Sequence, residues 1–165
     1  MKRKRFIVLS ILFLALTAAN AGWAQQKGMI ELDTVAEMEK EVINSKGEKE
    51  RIRVPVTTAV PCDVNIYTLY YTNNGQEPAD NVVIIYPIPE HMIYIQGSAS
   101  GADTVITFSM DKGETYDLPE KLTITSANGF VRPARPSEYT HIRWTRQKAL
   151  PAGQKGQVSF RARLE

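Results

Sequence analysis

The stretch VPCDVNIYTLYYTNNGQEPADNVVIIYPIP, Val60 to Pro89, decides the fold class of this chain. Between Asp63 and Asn73 one parity carries Tyr67, Leu69 and Tyr71, and the other carries Ile66, Thr68, Tyr70 and Thr72. Aromatic and β-branched residues on a period of two fit a pleated strand, because successive side chains leave opposite faces. Asn73-Asn74-Gly75 then supplies residues that tolerate positive φ, and Val82 to Tyr86 restarts the apolar run until Pro87 and Pro89 remove two backbone donors. The pattern predicts two strands joined by a polar turn, a hairpin at the centre of a sandwich.

Working outward, most of the chain reads the same way. Thr104–Met110 (TVITFSM), Lys121–Thr125 (KLTIT), Tyr139–Thr145 (YTHIRWT) and Gln157–Leu164 (QVSFRARL) alternate. His91–Ile95 is a shorter strand, and Gly97–Gly101, Asp111–Glu114, Asn128-Gly129 and Pro151-Ala152-Gly153 punctuate them as turns or loops. Arg132–Ser137 is a Pro-rich loop. The segment Thr34–Ser45 is ambiguous. Val35, Met38 and Val42 make a helical stripe, whereas Arg51-Ile52-Arg53-Val54 after the Asn44–Glu48 turn signal suits the return strand of a charged edge hairpin. The strand reading is adopted. Many short strands at spacings near ten residues, without a convincing helix, predict an all-β, immunoglobulin-like antiparallel β-sandwich. Its core is expected to gather Tyr67, Leu69, Tyr71, Phe108, Trp144 and Phe160.

The first 24 residues read as an address. Lys2, Arg3, Lys4 and Arg5 precede an apolar run, Phe6–Leu16, and the small-residue site Gly22-Trp23-Ala24 predicts cleavage before Gln25. The apolar run is too short for a span, which needs about 20 residues. No stable membrane span is expected after cleavage, and the protein is expected in the periplasm or at the cell surface. Residues 25–165 then form one domain of ordinary size. Removing the signal leaves sixteen basic against eighteen acidic residues, so the apparent basicity of the whole chain belongs to the leader. Cys62 is the sole cysteine, so no intramolecular disulfide can form. In a Pro-flanked turn its thiol is a candidate for an intermolecular disulfide.

The motif order Val60-Pro61-Cys62-Asp63, Tyr67–Gly75, Ala79-Asp80-Asn81-Val82, Pro87-Ile88-Pro89 and Tyr94–Ala99 resembles the bacterial surface-repeat family catalogued as domain of unknown function eleven, over residues 60 to about 110. The pattern Tyr139–Trp144 with Pro151-Ala152-Gly153 looks like the form in which such a domain stands alone. The resemblance implies an immunoglobulin-like or fibronectin-like sandwich in exported and surface proteins, usually non-catalytic, with no catalytic residue to carry over. One departure stands out: the family pattern has Gly where this chain has Cys62. A turn there with positive φ would suit Cys poorly.

Enzyme readings find little purchase. There are two histidines, His91 and His141, and no Gly-x-Ser-x-Gly, His-Glu-x-x-His or phosphate-cradling glycine loop. Cys62, His91, Met92, Met110 and His141 are soft ligands of the kind copper takes, but none are at a chelating interval, and no metal or other cofactor is assigned. Charge is lopsided. From Asn128 onward Arg132, Arg135, Arg143, Arg146, Lys148, Lys155, Arg161 and Arg163 face only Glu138 and Glu165. Arg132, Arg135, Arg143, Arg146 and Lys148 are therefore the candidate interaction surface for an anionic partner, an envelope protein or an anionic polysaccharide. Nucleic acid is not expected, since no aromatic residues interleave the basic ones in a known binding motif. The functional expectation is an exported non-catalytic module for binding, adhesion or scaffolding in the bacterial envelope. The alternative is a periplasmic small-ligand or metal-binding protein.

Overall fold

A computed structural model describes residues 30–58 and 60–165. The segment expected to be a leader, Met1–Ala24, and its expected cleavage site lie outside the described residues. Strands β1 (Ile30–Ile43), β2 (Lys49–Pro55), β3 (Val64–Asn73), β4 (Val83–Pro87), β5 (Met92–Tyr94), β6 (Ser100–Gly101), β7 (Thr104–Ser109), β8 (Thr123–Thr125), β9 (Val131–Pro133), β10 (His141–Arg146) and β11 (Lys155–Leu164) are joined by turns and two short 3-10 helices, Pro119–Lys121 and Pro136–Glu138. One antiparallel sheet has the order β2-β1-β3-β11-β5, with β6 also on β11. A second has the order β4-β10-β7, and β8 pairs with β9 separately. The chain is an all-β sandwich. Among the described residues no helix is long and apolar enough to cross a membrane.

The inward parity of each strand supplies the core, as the alternation requires. Leu69, Ile142, Trp144 and Phe160 are fully enclosed, and Tyr67, Tyr71 and Phe108 join them in one apolar cluster drawn from both sheets. Tyr67 stacks on Phe160 with ring centroids 4.9 Å apart within the larger sheet. Trp144 meets Phe160 at 6.2 Å and Phe108 meets Tyr94 at 4.9 Å across the sandwich. Each fully buried ring of this kind contributes about 1.5–3 kcal/mol. All six residues expected at the core are there.

The ambiguous segment is strand. Residues Ile30–Met38 pair with β3 and Glu37–Ile43 with β2, so β1 serves two neighbours along its length. Tertiary pairing overrides the helical spacing of Val35, Met38 and Val42. The edge hairpin is guarded as its sequence suggests: Lys49 pairs with Glu41 at 2.6 Å and Arg53 with Glu37 at 4.0 Å.

Two expectations need correction. Val60–Pro89 is not a hairpin, because β3 lies in the larger sheet and β4 in the smaller. The connection crosses the sandwich. Asn73, 2 % exposed, fixes the crossing: its Nδ2 donates to the Glu77 and Leu150 carbonyls at 2.8 Å, and its Oδ1 accepts from the Gly75 N–H at 2.9 Å. A turn residue read from composition is thus a buried tether between sheet ends. The second correction concerns Arg132–Ser137, which is not all loop: Val131–Pro133 pairs with β8, and Pro136–Glu138 forms a 3-10 turn.

Candidate functional site

A polar-lined cleft lies where β10 hands over to β11. Leu150 closes a bridge with Ala79, and the following turn is stitched back to β3 by Gly153 N–H to Asn73 O at 2.7 Å and Asn73 N–H to Gln154 O at 3.0 Å. This places the first residues of β11 against Tyr71. A Cβ on Gly156 would sit 2.3 Å from Tyr71 Cζ, so glycine is what lets the ring lie flat on the strand. Across the gap, Ser100 of β6 meets Ser159 of β11, hydroxyl to hydroxyl, at 2.9 Å. The result is a cleft of about 710 Å³ whose polar lining includes Asp103, Arg146, Gln154, Lys155, Gln157 and Ser159.

Arg146 is the fixed charge of this cleft. Its Nη1 donates to the Tyr71 hydroxyl at 2.9 Å and its Nε to the Lys148 carbonyl at 3.1 Å. The guanidinium carbon stands 5.9 Å from the Tyr71 ring centroid. Neighbouring Lys148 is spoken for by Asp103 at 2.8 Å, and that contact holds the Asp103 carboxyl below its ordinary range. Arg146 and Lys155 make no salt bridge among the described residues. A guanidinium has five N–H donors in a planar fork. With two engaged by neutral oxygens, Arg146 keeps donors to spare. The nearby Asp103 carboxylate feels its charge but is bonded to Lys148 rather than to the guanidinium, which leaves the fork open to a carboxylate, sulfate or phosphate.

The five basic residues expected to share one surface do not. Arg143 and Arg146 leave opposite faces of β10. Arg143 lies on the outer face, its guanidinium 4.4 Å from the Tyr116 ring centroid and its Nε donating to Thr107 Oγ1 at 3.1 Å. Arg132 is locked in a two-pronged pair with Glu138, whose other bond comes from the Arg135 N–H at 2.7 Å. That pairing lowers the Glu138 pKa to about 2, chiefly through the Arg132 side chain. Arg135 instead lines a shallower cleft of about 430 Å³ with Arg163, Tyr94 and Ser137. Sequence position clustered these charges, but strand parity scattered them. Of the five only Arg146 lines the cleft, and Tyr71, Asp103, Gln154, Lys155, Gln157 and Ser159 help complete it without a motif of their own. The signal that could have found them is the run of polar residues straight after the Pro151-Ala152-Gly153 turn.

Cys62 is exposed and has φ 76°. The turn at this position is left-handed, with Cys occupying it. Its N–H donates to Leu164 O at 2.9 Å, and Asp63 closes the turn with Oδ2 on the Val60 N–H at 2.9 Å. His91, also left-handed at φ 61°, is exposed beside the chain end, its carbonyl accepting from Glu165 N–H at 2.9 Å. His141 on β10 lies 3.2 Å from Thr140 Oγ1 through Nδ1. Met92 pairs with Leu164 and Met110 packs on the core. Among the described residues no three His, Cys, Asp or Glu side chains come together as metal ligands.

The Asp111 loop is a self-contained cap. Ser109 Oγ donates to Asp111 Oδ1 at 2.6 Å, Thr115 supplies its N–H and hydroxyl, and these bonds hold the carboxyl well below its usual range. Both oxygens of Asp111 are so used, and Glu114 is the exposed acid of the loop. No family model, curated protein or solved structure matches the chain, so the family resemblance of residues 60–110 rests on its motifs alone.

Proposed function

We propose that this chain is an exported, non-catalytic β-sandwich module of the bacterial cell envelope, in the periplasm or at the cell surface, and that it binds anionic polysaccharide through the cleft around Arg146. The observation that carries the reading is the guanidinium of Arg146, in no salt bridge among the described residues, pre-oriented by the Tyr71 hydroxyl and set among amide and hydroxyl side chains. The one carboxylate of the cleft, Asp103, is held by Lys148. Arginine supplies the charge, Lys155 a second cation, and Gln154, Gln157, Ser100 and Ser159 the neutral donors and acceptors that sugar hydroxyls need. The leader-like Met1–Ala24 segment and the surface-repeat resemblance support the location. Envelope protein bearing clustered carboxylates is a partner of the same chemistry.

Calorimetric titration of residues 25–165 with a polyuronate and with neutral dextran tests this. The expected result is binding to the polyuronate alone, weakened about tenfold by Arg146→Gln and further by added salt. Equal binding of both polymers, no binding of either, or an unchanged affinity in Arg146→Gln sinks the reading. Titration with the monomeric uronate separates a polymer groove from the small-ligand alternative, which would use the same cleft.

A further inference from the structure

Of the edges that the two sheets leave open, three are managed. On the larger sheet β2 carries Lys49, Glu50, Arg51 and Arg53, and β5 is only three residues long. On the smaller sheet the outer side of β7 is closed by Asp117, which exchanges both backbone bonds with Phe108, at 2.9 and 3.1 Å. The fourth edge, β4, reads Val83-Ile84-Ile85-Tyr86-Pro87 and contains no charge. Val83 and Ile85 are 47 % and 46 % exposed on its outer face. An uncharged, apolar open edge is the kind that recruits another strand.

The hydrogen-bond phase of β4 says what fits there. Arg146 N–H donates to Val82 O at 2.9 Å and Ile88 N–H to Thr140 O at 2.8 Å, in the register that sets Ile85 against Arg143. In an antiparallel ladder bonded and non-bonded pairs alternate, so Val82, Ile84, Tyr86 and Ile88 face β10. The N–H and C=O of Val83 and Ile85, and the C=O of Pro87, therefore point away from the sheet. β4 pairs only with β10 among the described residues.

We infer that β4 pairs with β4 of a second copy about a two-fold axis through Ile85, joining two three-stranded sheets into one of six strands. Ile85 would exchange both of its backbone bonds with its own counterpart. Each Val83 N–H would donate to Pro87 O of the other copy, where proline's missing N–H costs only the reverse bond. This register lays all five extended residues of one strand on all five of the other. Shifting the axis to Ile84 would set Pro87 against Asn81, which is left-handed at φ 53° and cannot extend the ladder. The pairing is self-complementary, as a two-fold contact must be. Because β4 carries no charge, it brings no like charges together along the strands. Val83 and Ile85 of both copies would form a continuous apolar strip on the outer face. The inference is independent of the anion-binding reading, because β4 contributes nothing to the Arg146 cleft.

Sedimentation and engineered cross-linking of residues 25–165 test it. At about 100 μM, where a complex of micromolar dissociation constant is nearly saturated, the protein should run as a dimer. Paired residues that exchange both bonds have Cα atoms about 5.5 Å apart, within disulfide reach. Ile85→Cys in a Cys62→Ser background should therefore give a reducible dimer, and Val105→Cys on the opposite edge should not. Ile85→Pro removes only an outward-facing donor, and Ile85→Lys adds a charge; each should leave a folded monomer by circular dichroism. A wild-type chain that stays monomeric at that concentration overturns the inference. So does a failure of Ile85→Cys to cross-link, or a dimer that survives in whichever of the Pro and Lys variants is folded.

Discussion

Tyr71 and Arg146 join the core to the cleft through one hydrogen bond: the phenol ring is buried between the sheets, and its hydroxyl accepts from Arg146 Nη1 at 2.9 Å. The bond links a residue that holds the sandwich together to one that would meet a ligand. Tyr71→Phe keeps the ring and removes only the acceptor. Hydrogen bonds to charged groups contribute about 1.5–3 kcal/mol when enclosed, and Arg146 is half-buried, so a loss of about 1 kcal/mol in urea denaturation is expected. Polyuronate affinity should fall as well, because the guanidinium loses its support. A variant as stable as the parent with unchanged affinity would show that the bond orients nothing.

Gly156 is the counterpart of that ring. A methyl group there would overlap Tyr71 Cζ, Oη and Cε2 at 2.3–2.6 Å, and a ring 1 % exposed has little room to retreat. Gly156→Ala should destabilise by about 1–3 kcal/mol, the ordinary cost of overpacking, despite alanine's better backbone propensity. Chemical denaturation measures it. A neutral or stabilising effect would mean that Tyr71 moves freely.

Cys62 offers the opposite case. It is exposed in a left-handed turn at φ 76°. Non-glycine residues in that region cost roughly 1–2 kcal/mol, and glycine gives back part of the gain through the greater freedom of its unfolded chain. Cys62→Gly should raise stability by about 1 kcal/mol or less in thermal unfolding, and Cys62→Val, with branching at Cβ, should lower it. The native thiol should react stoichiometrically with an aromatic disulfide reagent before unfolding. Thiol-blocked extracts run without reductant would show whether Cys62 also joins two chains; a monomer band alone removes the proposed intermolecular disulfide.

The Arg132–Glu138 pair sets a pH signature. The Glu138 carboxyl titrates near 4.5 when unfolded and at about 2 in the folded chain, so its contribution is complete above 4.5 and vanishes as pH falls through about 2. Wild type and Arg132→Gln should therefore differ in stability at pH 7 and converge between those two values. Denaturant midpoints for both proteins across pH 2–7 give the comparison. A gap that stays constant down to pH 2 would assign it to packing rather than to the ion pair. Because the pair is partly solvent-exposed, salt should narrow the gap.

The sequence by itself determined which residues face inward. Period-two alternation identified β3, β7, β10 and β11 and the six aromatic and aliphatic side chains of the core, since a pleated strand must place alternate residues on one face. It also identified the charged edge of β2. Only the tertiary structure decided which sheet each strand joined, because the inner faces of both sheets are equally apolar and parity carries no label for either. That is why β3 and β4 read as a hairpin yet lie in opposite layers, with buried Asn73 holding the crossing. It is also why eight basic residues crowded into the last 38 positions do not make one surface: Arg143 and Arg146, three apart on a strand, emerge on opposite faces, one over Tyr116 and the other against Tyr71.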